Sequence, residues 1–151
     1  MSETGLLAVE LRAGGVLRVR IERPQVHNAL SRATLAALGE AFARHARDES
    51  IRAAVLTGAG DRSFAAGGDL KEFALIRDDA DARGLHRDAS AALDALRRFP
   101  APTVAALNGL AVGGGAELAL ARRRQIDEDS FARTWVHPEH WAALERKAAK
   151  A

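Results

Sequence analysis

The chain has 151 residues, 48% hydrophobic and 28% charged, a balance that suits one globular unit with a real core and excludes a disordered segment. Its 22 Lys and Arg against 20 Asp and Glu leave a formal charge of +2, too little for a field that gathers nucleic acid. Cysteine is absent, which excludes a disulfide framework, a thiol nucleophile and thiolate metal ligands, and fits a reducing compartment.

The first residues lack the basic-then-apolar pattern of a leader, and no apolar run approaches the roughly 18 residues of a membrane span. The expectation is a cytoplasmic protein with no membrane contact. Leu6 to Leu11 and Val16 to Ile21 are short aliphatic runs around Ala13-Gly14-Gly15, and Leu17, Val19 and Ile21 alternate with Arg18 and Arg20. That pattern predicts a β-hairpin with one wet face. From Ser31, a suitable N-cap, Leu35, Leu38 and Phe42 form a stripe at helical spacing towards Arg47, which predicts an amphipathic helix. Ala53 to Thr57, closed by Gly58-Ala59-Gly60, has the uninterrupted apolar character of a buried parallel strand. Strand, helix and strand together predict a crossover unit.

Phe64 to Leu70 is a small-residue loop, and Asp69 opens a short helix. His86 to Phe99 repeats the helical pattern, with Ala89, Leu93 and Leu96 inward and Pro100 as the stop. Thr103 to Leu107 is expected to be another short buried strand, Asn108-Gly109 a turn, and Gly113 to Ala121 a glycine turn feeding a buried helix. After Arg122-Arg123-Arg124 the character changes: Pro138 suits a first helical turn, and Trp141, Leu144 and Ala148 form a stripe. The expected division is a core over 1–121 and a helical tail over 122–151.

Two segments carry the chemistry: Ser63-Phe64-Ala65-Ala66-Gly67-Gly68-Asp69-Leu70, and Asn108-Gly109 through Gly113-Gly114-Gly115-Ala116-Glu117. Each puts glycines after a strand and before a helix, where a backbone N–H can approach a ligand oxygen closely. Two such N–H groups converging on one oxygen would stabilise an enolate or a tetrahedral intermediate. Glycines in such places also simply make tight turns. Neither G-x-G-x-x-G nor G-x-x-x-x-G-K-[ST] occurs, so dinucleotide and nucleotide-phosphate cradles are not expected.

These two segments resemble the signature regions of the enoyl-CoA hydratase/isomerase (crotonase) family. Pro24-Gln25-Val26-His27-Asn28-Ala29-Leu30 resembles its P-x-x-x-N-A-L segment, and Pro102 to Leu107 the strand before the second signature. The likeness runs from about Val9 to Ala121. It implies an α/β crotonase-like β-β-α spiral, here its N-terminal half, followed by a short helical tail. By the same resemblance Gly68 and Gly114 match the oxyanion-hole N–H donors, and Ala66 with Gly68, Asp69, Leu70 and Lys71 lie where the family contacts CoA. Glu117 matches the first of two catalytic glutamates that handle water and proton at the acyl α,β-carbons; a carboxylate also suits a helical first turn for its charge alone.

After Ala121 the family continues with further turns of the spiral and a segment bearing the second glutamate, which this chain does not match. Ile126 to Ala151 is faintly similar to the C-terminal helical end of such proteins, as though the centre had been removed. Hydration generally wants two carboxylates, and neither Glu128 nor Glu139 has a recognisable catalytic context.

The remaining candidates have plain readings. His27, His45, His86, His137 and His140 are scattered, and no metal site is expected; Ser63 and Ser130 lack a nucleophile elbow. Arg122 to Arg124 read as a solvated helix end, and Trp135 and Trp141 as core or subunit contacts.

The resemblance thus implies an enoyl-CoA hydratase-like protein that binds acyl-CoA thioesters and stabilises an enolate, with hydration of 2-enoyl-CoA as the default reaction. CoA enters as part of the substrate, and no separate cofactor is expected. The alternative is a catalytically silent acyl-CoA-binding or subunit-interaction protein. A spiral halted midway leaves an apolar face bare, so a homo-oligomer is expected.

Overall fold

A computed structural model of the chain describes residues 5–121. The expected tail over 122–151, with His137, His140, Trp135 and Trp141, lies outside the described residues.

The hairpin forms as its alternation requires. Strands β1 (Leu7–Arg12) and β2 (Val16–Ile21) pair antiparallel, Leu7 opposite Ile21 and Arg12 opposite Val16. Leu17, Val19 and Ile21 are fully buried while Arg18 and Arg20 stay partly wet. Helix α1 (Arg32–His45) starts at Ser31, whose side chain accepts from the Thr34 amide, and it buries Leu35, Leu38 and Phe42. It leads into β3 (Ala53–Gly58), which runs parallel to β2.

Short helix α2 (Leu70–Phe73) is capped by Asp69, as expected from the sequence. Helix α3 (Asp79–Arg97) begins seven residues before the expected His86, because Asp78 caps it and Asp79 and Asp81 suit its positive first turn. Its most buried positions are Gly84, Ala92 and Leu96, while Ala89 and Leu93 pack half-buried against the core. The Phe42 and Phe99 rings meet edge to face at 5.3 Å, tying α1 to the end of α3.

Strand β5 (Thr103–Ala106) runs parallel to β3 and gives the four-stranded order β1-β2-β3-β5. It corrects one expectation. Only alternate residues turn inward, and Val104 is 56% exposed, because β5 is the edge of the described sheet with nothing described over its outer face. Two further strands are too short for periodicity to reveal: β4 (Ser63–Ala65), within the expected loop, pairs parallel with β6 (Leu110–Ala111). Helix α4 (Gly114–Leu120) then buries Gly115 and Leu118 and leaves Leu120 exposed, so it is amphipathic rather than buried throughout.

Candidate active site at two adjoining glycine loops

The β4–β6 pair decides where the two motifs lie. Parallel pairing carries both chains out at the same end of the two strands, so the loop after β4 (residues 66–69) and the loop after β6 (residues 112–113) emerge side by side. The Val112 amide donates to the Ala65 carbonyl at 3.1 Å, and a β-carbon at Gly67 would lie 3.0 Å from the Val112 carbonyl oxygen. Gly67 (φ 94°) and Gly113 (φ 52°) both adopt backbone that side chains disfavour. The N-terminal turn of α4 sits directly on β4: a β-carbon at Gly115 would lie 2.1 Å from the Ala65 carbonyl oxygen.

Gly68 and Gly114, the expected oxyanion donors, stand on these two adjoining loops. Among the described residues neither amide has a hydrogen-bond acceptor, whereas their neighbours are engaged: Asp69 donates to the Leu30 carbonyl and Gly115 to that of Val112. Leu30 links the two loops, its amide donating to Gly67 and its side chain resting near Gly114. Glu117 lies one helical turn beyond Gly114, on the same face of α4. Its side chain is half-buried and has no ionic or hydrogen-bond partner among the described residues.

The residues expected to contact CoA divide into two kinds. Ala66 is half-buried and its amide donates to the His27 carbonyl; Leu70 and Lys71 are exposed on α2. The Asp69 carboxylate is committed within the fold. It caps the Lys71 amide and pairs with Arg23 at 2.9 Å, with the two side chains 15% and 17% exposed. Partial burial pushes the Asp69 carboxyl up, but the Arg23 hydrogen bond and charge, with the Lys71 and Glu72 amides, outweigh it and hold the group below the ordinary aspartate value.

Sequence reasoning missed the side chains that brace the first loop. Asn28 is fully buried with φ 55°. It accepts from the Arg23 amide at 3.0 Å and donates to the carbonyls of Ala59 (3.0 Å) and Ser63 (2.7 Å). Asn108 mirrors it from the turn between β5 and β6, accepting from the Gly58 amide at 2.9 Å and donating to Gly60 (2.8 Å) and Ser63 (3.1 Å). Both amides thus fix the turn between β3 and β4. Glu72 accepts from the Arg32 amide at 2.8 Å and so joins α2 to the start of α1. The signal available in the sequence was the Asn-Ala-Leu triplet and the Asn-Gly dipeptide, whose spacing does not reveal a shared acceptor.

The described cavity of about 20 Å³, between Leu56, Leu96, Thr103, Ala105 and Leu118, is mostly apolar, has room for about one water, and belongs to the packing of α3 and α4 on the sheet.

The chain has counterparts among known proteins. Residues 12–130 match the family described as enoyl-CoA hydratase/isomerase. The chain belongs to the enoyl-CoA hydratase/isomerase family. It is similar to a carnitinyl-CoA dehydratase of Proteus mirabilis, 42% identical over 121 residues, which cover 79% of this chain and 45% of the relative. Among solved structures, an enoyl-CoA hydratase from Bacillus anthracis superposes with a TM-score of 0.73 at 33% identity, over 77% of this chain and 45% of that one. An enoyl-CoA hydratase/carnithine racemase from Magnetospirillum magneticum does so with a TM-score of 0.70 at 36% identity, over 77% and 45%. The fold is that of the crotonase neighbours, and the chain spans about 45% of the length of these relatives. Among the described residues no helix is long and apolar enough to cross a membrane.

Proposed function

We propose that this chain binds acyl-CoA thioesters and holds the thioester oxygen between the amides of Gly68 and Gly114. The observation that carries the reading is the pair of amides that have no acceptor among the described residues, on two loops that leave paired strands side by side. In that position an enolate oxygen would receive two donors that need no reorganisation, each worth about 2.7 to 4 kcal/mol in comparable sites. The rim formed by Ala66 and by Gly68 to Lys71 receives the CoA portion, with the exposed Lys71 ammonium available to a phosphate.

The default reaction is hydration of a 2-enoyl-CoA. Water oxygen bonds to the β-carbon as Glu117 takes one of its protons, the displaced π electrons pass to the thioester oxygen as an enolate, and their return takes up a proton at the α-carbon. Relatives named for dehydrating carnitinyl-CoA favour this reversible addition of water over double-bond migration. Glu117 serves as general acid/base. Because hydration generally employs two carboxylates, and losing one partner costs roughly 100- to 10,000-fold, this chain in isolation is expected to bind acyl-CoA with weak turnover. A catalytically silent acyl-CoA-binding protein is the alternative.

Calorimetric titration with butyryl-CoA and free CoA, beside a crotonyl-CoA hydration assay, separates the two. Tighter binding of butyryl-CoA than of CoA, with residual turnover abolished in Glu117→Gln, supports the enzyme. Turnover unchanged in Glu117→Gln removes Glu117 from the mechanism, and equal affinity for CoA and butyryl-CoA removes the thioester site.

Self-association belongs to the same reading. Val104 and Leu107 are each 56% exposed beside β5, an apolar surface suited to a second copy of the chain. Light scattering at micromolar concentration is expected to show a dimer or larger species; a monodisperse monomer contradicts it.

A further inference from the structure

We infer that Phe73 is a specificity-determining residue, its ring forming the wall at Gly68 that limits the length of acyl chain the site accepts. The inference rests on the placement of the thioester at Gly68 and names what lies beside it. A β-carbon added to Gly68 would lie 2.1 Å from Phe73 Cζ and 2.2 Å from Cε2, so the ring edge occupies the space a side chain would fill, next to the free amide. Phe73 is half-buried, outside the hydrophobic core cluster and its flanking residues, and among the described residues its ring has no aromatic neighbour.

The ring is held in place by its helix. Phe73 closes α2, its amide donating to the Asp69 carbonyl at 2.9 Å. That helix is anchored at both ends of its single turn, by the Asp69–Arg23 pair and by Glu72 on the Arg32 amide. A ring on so constrained a turn cannot drift away without breaking these bonds; it can only rotate about its own side-chain bonds. Leu70, on the same side of α2 three residues earlier, is 74% exposed. Removing the ring would open a path from Gly68 onto that apolar surface. The wall therefore favours short acyl groups, and a side chain at position 68 would have to displace the ring.

The test compares free CoA, butyryl-CoA and decanoyl-CoA by calorimetry on the full chain, in wild type, Phe73→Ala, Phe73→Leu, Gly68→Ala and the Gly68→Ala/Phe73→Ala pair. Wild type is expected to bind butyryl-CoA about tenfold or more tighter than decanoyl-CoA. Phe73→Ala is expected to erase or invert that ratio with affinity for free CoA unchanged, and Phe73→Leu to move it partway. Gly68→Ala should weaken butyryl-CoA binding, and the double variant should restore it. A chain-length ratio near one in wild type, or one that Phe73→Ala and Phe73→Leu leave unchanged while butyryl-CoA still binds, overturns the wall and leaves the thioester site intact. Wild type that binds free CoA and butyryl-CoA equally overturns the thioester site and the wall with it.

Discussion

The two loops of the candidate site are built by opposite means. The loop after β4 and the chain leading into it are held by polar side chains: Arg23 on Asp69, Asn28 on Ala59 and Ser63, and Glu72 on the Arg32 amide. The chain on either side of β6 is held mainly by close approach of bare backbone. A β-carbon at Gly109 would come within 2.4 Å of the Arg62 backbone, and one at Gly115 within 2.1 Å of the Ala65 carbonyl oxygen. One loop is therefore sensitive to charge and hydrogen bonding, the other to volume. The contrast teaches that two neighbouring loops can be held by different physics, and each can be disturbed separately.

The largest effect is expected at the volume-sensitive loop. Gly115→Ala must push α4 off β4, since the clash is with backbone rather than with a movable side chain. Overpacking of this kind costs about 1 to 3 kcal/mol, occasionally more, and butyryl-CoA binding is expected to vanish with Gly114 displaced. Chemical denaturation with parallel titration checks it; unchanged binding would detach Gly114 from the site.

Next comes the brace of the first loop. Asn28→Ala leaves the Arg23 amide and the Ala59 carbonyl without these partners, while Ser63 keeps Asn108. The buried Ala59 carbonyl so orphaned costs about 1 to 3 kcal/mol and the half-buried Arg23 amide less, with the alanine fitting the positive φ poorly but the helix α4 left in place. Asn108→Ala, being less buried, should cost less in the same urea titration.

The Arg23–Asp69 pair carries a pH signature that the second loop lacks. Asp69 titrates below its ordinary value in the folded protein, so its contribution is complete above the unfolded aspartate pKa of about 3.9 and is lost as pH falls through the lower folded value. Arg23→Met is expected to lower stability at neutral pH by about 1 to 3 kcal/mol and to shrink that deficit as pH drops below about 4. A deficit independent of pH would show that the pair matters for packing alone.

The smallest stability effect is expected at Glu117. With no partner among the described residues, Glu117→Gln should change stability by no more than about 0.5 kcal/mol, whatever it does to turnover. A larger loss would reveal a structural role.

How far the sequence foretold this follows from the same contrast. The hairpin, α1 and β3 were legible because burial imposes a period on them, as at Leu17, Val19 and Ile21. Gly68, Gly114 and Glu117 were legible only through resemblance, and their arrangement depends on β4 and β6, three and two residues long, where no period can register. The start of α3 was missed because its first turns are polar and signalled only by Asp78 and the acidic residues after it. Val104 was misjudged because an apolar strand cannot announce whether anything covers it. Asn28 and Asn108 converge on one carbonyl from positions far apart in the chain, and such tertiary coincidence leaves no local mark.

The central claim is that the Gly68 and Gly114 amides meet at one thioester oxygen. Amide proton shifts in ¹⁵N-labelled protein titrated with butyryl-CoA, and separately with free CoA, test it most directly. The account predicts that both amides move downfield together with butyryl-CoA, as hydrogen bonds to the thioester oxygen form, and that free CoA leaves Gly114 unmoved. Butyryl-CoA binding that shifts only one of the two, or neither, would contradict it.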